Sequence, residues 1–128
     1  MTIAEVSKKY GLSTDTLRYY ERVGLIPPVP RTKSGIRDYN EESCGWVGFA
    51  KCMRDAGIPV EVRATYVALV KEGDRTQADR IAILKEQRDL LARRIADMQE
   101  TLQRLDHKIK NYNSTMADAE HKLGASAI

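Results

Sequence analysis

With 128 residues, 42% of them hydrophobic and 30% charged, and only one Phe and one Trp, the chain has room for one ordinary domain or a smaller one with an elongated attachment. That size excludes a multi-domain enzyme. No run of eighteen apolar residues or charged leader signals membrane insertion or secretion, so a cytoplasmic protein with two free thiols, Cys44 and Cys52, is expected. The net charge of +3 lies wholly in residues 1-40, which hold seven Lys and Arg against four acids, a weak nucleic-acid signal by itself.

In chain order, Thr2 stands as an N-cap with Glu5 completing a capping box, and Ile3, Val6 and Tyr10 follow at helical spacing until Gly11. Leu12 is expected as a buried plug. Ser13 or Thr14 then caps a second helix carrying Leu17, Tyr20, Val23 and Gly24. Helix, tight turn and helix form a helix-turn-helix pattern, whose second helix offers its N-terminal residues to base edges in the major groove. Pro27-Pro28-Val29-Pro30 cannot continue that helix, so the chain must extend. Arg31 to Tyr39 reads as a short β-hairpin with its turn at Ser34-Gly35. Arg31, Lys33 and Arg37 make it a basic tip, suited to act as a wing against DNA backbone.

Asn40 can cap a third helix, with Glu41 and Glu42 at its positive end. Trp46, Ala50, Met53 and Gly57, joined by Phe49, are expected along its core face. Gly57-Ile58-Pro59 stops it, and a fourth helix from about Val60 to Lys71 presents Val62, Tyr66 and Leu69 or Val70 before Gly73.

The clearest periodic signal follows. Ile81, Leu84, Arg88, Leu91, Ile95, Met98, Leu102, Leu105, Ile109, Tyr112 and Met116 alternate steps of three and four, with Arg88 the single charged member. With no Gly or Pro between Thr76 and Leu123, one helix is expected to persist for about 40 residues, or about 60 Å. Its apolar seam would be too exposed in a monomer, so a homodimeric coiled coil is expected through Leu84, Leu91, Ile95, Met98, Leu102, Leu105 and Ile109. The fold class is therefore mainly all-α: a winged helix-turn-helix head with a small β-hairpin wing over 1-72, a dimerisation coiled coil over 76-118 and a short tail over 119-128.

The order Leu12-Ser13, Leu17-Arg18-Tyr19-Tyr20-Glu21, Gly24-Leu25-Ile26, Pro28, Arg31 and Gly35-Ile36-Arg37 with Tyr39 resembles the N-terminal signature of the MerR family of bacterial transcription regulators. The motif-level resemblance covers roughly the first 72 residues. It implies an antiparallel dimer bound to an inverted-repeat operator in double-stranded DNA. It also implies activation by distorting the spacer so that RNA polymerase engages both promoter elements. By the same resemblance, Arg37 and Tyr39 hold backbone from the wing.

On the second helix, Thr14, Asp15, Thr16 and Arg18 form the exposed N-terminal face, with Arg18 suited to guanine and Tyr19 to phosphate. Lys33 adds a phosphate contact from the wing tip. No catalytic constellation, cofactor motif or metal site is expected: residues 73-80 and the segment after Asn113 contain no cysteine. Cys44 and Cys52 lie eight residues apart on one helix, about 12 Å, too far to bridge. Cys52 sits between Lys51 and Met53-Arg54, cations that would favour a thiolate, or else it is a small apolar packing residue. Lys51-Cys52-Met53-Arg54 with Ala56-Gly57 resembles the AdhR/NmlR-like branch, which implies that Cys52 senses thiol-reactive electrophiles or aldehydes. The alternatives are an effector-independent DNA-bending regulator or repressor with structural cysteines, and, less favoured without a CxxC, a thiol oxidoreductase. Cys44, placed opposite Trp46, is expected to tolerate Ser almost silently.

Overall fold

Helix α1 (Ile3–Tyr10) starts where the sequence writes a reciprocal cap: Thr2 Oγ1 accepts from the Glu5 amide at 3.1 Å, and the Glu5 carboxylate accepts from the Thr2 amide at 2.9 Å. Gly11, at φ 65°, closes it in the left-handed conformation that glycine adopts without steric cost. Leu12 drops into the core, and Ser13 rather than Thr14 caps α2 (Thr14–Arg22), its Oγ accepting from the Thr16 amide at 3.0 Å. The computed structural model describes residues 1–112 and 114–126. Four longer helices follow: α3 (Glu41–Asp55), α4 (Val60–Lys71), α5 (Gln77–Lys110) and α6 (Ser114–Ser126).

The expected β-hairpin wing is a correction. Among the described residues there is no strand, and Arg31 to Tyr39 forms a loop closed by one isolated antiparallel bridge, Arg31 to Arg37. Thr32 N–H donates to Ile36 O at 2.8 Å and Asp38 N–H to Pro30 O at 2.7 Å, around a turn in which Gly35 N–H donates to Thr32 O. Pro30 has no amide with which to return a bond, and exposed Ile36 meets no layer that could extend the pairing.

Two compact units divide the chain, Met1–Leu91 and Ala92–Ile128. In the first, Val6, Leu12, Leu17, Tyr20, Leu25, Ile26, Val29 and Tyr39 form the core with Cys44, Val47 and Ala50 of α3. The face of α3 keeps Ala50 and Met53 buried as expected, with Trp46 packed at the core's edge, and adds Cys44 and Val47, which were not expected there. Cys44, Val47, Ala50 and Met53 are buried, while Trp46 and Phe49 are half-buried and flank them. Their rings meet at 5.9 Å, and Phe49 meets Tyr66 of α4 at 5.4 Å, so large aromatics cover the α3–α4 seam from outside. Because Cys44 lies opposite Trp46, it points inward; its Sγ is 3.8 Å from Met1 Sδ. Gly48 lets α3 approach the end of α1: a Cβ there would stand 3.3 Å from the Tyr10 ring. Arg63 of α4, absent from the expected core, is buried with Nε donating to Ile58 O at 3.1 Å.

Helix α4 ends before a 3-10 turn, Asp74–Thr76, where the buried Thr76 hydroxyl lies 2.6 Å from Leu69 O and 2.8 Å from Gly73 O. Helix α5 then runs 34 residues, short of the unbroken span the sequence implied. At its end the Asn111 amide and side chain both donate to His107 O at 2.9 Å, and the Tyr112 amide donates to Ile109 O at 3.3 Å, a three-residue bond that tightens the last turn. Within the second unit, Glu120 of α6 pairs with Lys108 at 3.1 Å and accepts from Tyr112 Oη at 3.0 Å, so the expected tail begins within a helix.

Candidate nucleic-acid interface

The N-terminal turns of α2 carry the most informative surface. Leu17 and Tyr20 are buried, which turns Asp15, Arg18, Tyr19 and Arg22 outward, with Thr14 and Thr16 half-buried beside them. The face is pre-ordered by its own contacts. Arg18 donates through NH1 to Asp15 Oδ1 at 3.0 Å and lies 3.4 Å from Thr14 Oγ1, while Thr16 Oγ1 lies 2.8 Å from Ser13 Oγ. Arg22, not singled out from sequence, stands over the Tyr19 ring at 5.6 Å. An exposed ion pair of the Arg18–Asp15 kind contributes little, so a guanine edge or a phosphate can displace Asp15 at small cost.

The basic loop is held to α2 by Glu21, which the sequence marks as part of the signature without assigning it a role. Glu21, whose side chain is 11% exposed, accepts from the Val29 amide at 2.7 Å, from Arg37 Nε at 2.6 Å and from Arg31 NH2 at 3.3 Å. Burial works to raise its carboxyl group's pKa, but the Val29 and Arg37 hydrogen bonds and the two guanidinium charges outweigh burial and hold it below the usual glutamate range. No local spacing reveals its anchoring role, because its partners lie eight, ten and sixteen residues onward.

Lys33 and Arg31 are exposed, and Arg37 is half-buried against Glu21. Tyr39 departs furthest from its expected place on the wing: it is 1% exposed, and its hydroxyl is buried without a hydrogen-bond partner. Burial raises its pKa above the usual phenol value, chiefly against the lowering effect of Arg37. As placed, it braces the loop from the core side and cannot reach a phosphate without rearrangement.

Behind the turn, Lys51 Nζ donates to Tyr10 O at 2.6 Å, capping the C-terminal end of α1. Cys52 is exposed on the adjoining position of α3. The cations expected to flank its thiol are directed elsewhere, Lys51 to Tyr10 and Arg54 to Asp55 Oδ1 at 3.4 Å. Along α5, Leu84 and Leu91 are half-buried within the first unit. Ile95, Met98, Leu102, Leu105 and Ile109 are exposed.

The family model described as MerR family regulatory protein matches residues 2–39, and that described as MerR, DNA binding, matches 46–108. A solved structure from Listeria monocytogenes, assigned to the MerR family transcriptional regulators, is 45% identical with a TM-score of 0.86, covering 99% of this chain and 96% of that one. The chain belongs to the MerR family.

Two other relatives bear on the interface. The HTH-type transcriptional regulator AdhR of Bacillus subtilis is 60% identical over 76 residues, 59% of this chain and 54% of AdhR. The chain thus spans about half the length of the curated relatives it matches. The crystal structure of HiNmlR, a MerR family regulator lacking the sensor domain and bound to promoter DNA, is 27% identical with a TM-score of 0.80, covering 91% of this chain and 92% of that one. All three relatives are described as regulators, and none as an enzyme.

Proposed function

We propose that this MerR family chain is a homodimeric transcriptional regulator that reads an inverted-repeat operator with α2 and responds to thiol-reactive electrophiles through Cys52. The observation that carries the first part is the exposed face of α2, where Thr14, Arg18 and Tyr19 stand on a capped helix beside the basic loop. Arg18 reads a base edge, Thr14, Thr16 and Tyr19 meet bases or phosphates, and Lys33 steadies the backbone, with Arg37 and Tyr39 shaping the loop beneath it. A two-fold dimer joined along Leu84, Leu91, Ile95, Met98, Leu102, Leu105 and Ile109 presents two such heads, so the operator mirrors its symmetry. Supporting this, α5 exposes its apolar residues in register over several turns.

Activation then works by bending or untwisting promoter DNA for RNA polymerase, at a deformation cost of roughly 1–6 kcal/mol. Cys52 suits a sensor because it is exposed and adjoins Lys51, whose ammonium grips the carbonyl just before the helix-turn-helix turn. Buried Cys44 suits packing. The test is a footprint on the cognate promoter, followed by transcription with and without a panel of aldehydes and diamide for wild type and Cys52→Ser. Loss of induction with operator binding retained is the expected result. Full induction of Cys52→Ser leaves the effector-independent regulator standing, and absence of any footprint removes the operator reading.

A further inference from the structure

We propose that Glu21 sorts the two loop arginines, holding Arg37 as a positioning residue that sets the loop against α2 and leaving Arg31 as the cation that meets a DNA phosphate. This rests on the reading that the head binds duplex DNA. Arg31 and Arg37 are directly opposed across the single antiparallel bridge, an arrangement in which like charges repel. Glu21 offsets that repulsion by accepting from both, but unequally. The Arg37 contact is 2.6 Å with a side chain 21% exposed, whereas the Arg31 contact is 3.3 Å with a side chain 44% exposed.

Withdrawing Arg37 would take the shortest of three contacts from a carboxylate that is largely out of water, leaving it the Val29 amide and the longer Arg31 contact, and weakening a buried pair in this way is costly. Withdrawing Arg31 costs little, since its remaining contact, NH1 to Gly35 O, is 3.4 Å. Glu21 also holds the Val29 amide, within a run whose prolines at 27, 28 and 30 supply no donors, so one carboxylate fixes both the extended segment and the loop. The loop's position relative to α2 thereby depends on Arg37, and its electrostatic reach on Arg31.

The test titrates the full-length dimer against the footprinted duplex and a scrambled duplex of equal length between 50 and 200 mM salt. Each phosphate neutralised contributes about 0.9 to the slope of log affinity against log salt, so one contact per head contributes about 1.8 per dimer. Arg31→Ala is expected to flatten the slope by about 1.8 on both duplexes. Arg37→Ala is expected to leave the slope unchanged and to lower the ratio of matched to scrambled affinity, on the order of tenfold, with Arg37→Lys restoring much of that ratio. Glu21→Gln, which frees Arg37, is expected to steepen the slope while lowering the ratio.

Circular dichroism checks each fold, and if Arg37→Ala loses helix, Arg37→Lys and Glu21→Gln decide. Flattening by Arg37→Ala but not by Arg31→Ala overturns the proposal. So does a Glu21→Gln protein with wild-type slope and ratio. A wild type that binds no duplex removes the operator reading and this inference with it.

Discussion

Leu102→Glu combined with Leu105→Glu separates a lone helix from a dimer seam. The two leucines are 57% and 54% exposed, so roughly half of each is already covered within the single chain. Fully burying a leucine contributes about 1.5–3 kcal/mol, leaving about 0.8–1.5 kcal/mol to be gained from a partner at each site. A two-fold dimer contains four such sites, so the double substitution forfeits about 3–6 kcal/mol of association before the cost of burying the new carboxylates. The dimer dissociation constant is then expected to rise by about two to four orders of magnitude. In a monomer the same changes would fall on the solvent face and shift stability by no more than about 0.5 kcal/mol. Sedimentation equilibrium with circular dichroism distinguishes the cases: wild type at dimer mass and the double variant at monomer mass or unfolded. A double variant that stays a folded dimer of wild-type affinity, or a wild type already monomeric, refutes the reasoning.

Cys44→Ser places a hydroxyl among core side chains and is expected to cost about 1–2 kcal/mol in a urea melt, whereas exposed Cys52→Ser should be silent in the same melt; equal melts would show that Cys44 does not pack as described. Glu21, held below its unfolded-state pKa, contributes stability above the usual glutamate range and loses it as pH falls through its folded value. The gap in thermal midpoint between wild type and Glu21→Gln is therefore expected to be largest near neutrality and to close in acid, and a gap independent of pH would remove the ion-pair account. Arg18→Ala is expected to cost about 1–3 kcal/mol on the matched operator and less on scrambled DNA, as titrations of both would show.

Features built from neighbouring residues were legible in the sequence. The Thr2–Glu5 box, Gly11, a cap at Ser13 or Thr14 and the inward Leu17 and Tyr20 follow from bonds three to four residues long and from helical periodicity, and they fix α1 and α2. The apolar repeat of α5 was equally plain, because a seam is a property of one helix.

Three things were decided only by tertiary structure. Helix α3 turned Cys44 and Val47 inward beside Ala50 and Met53, with Gly48 close to the Tyr10 ring of α1, while Phe49 bridges Trp46 and Tyr66 at the seam. The wing formed no strands, because its one bridge had nothing to extend it and a carboxylate from α2 supplied the anchor instead. The placements of Arg31, Arg37 and Tyr39 also diverged there, for a sequence records that a cation or phenol is present, whereas distance and desolvation set by remote partners determine whether it faces solvent or the core.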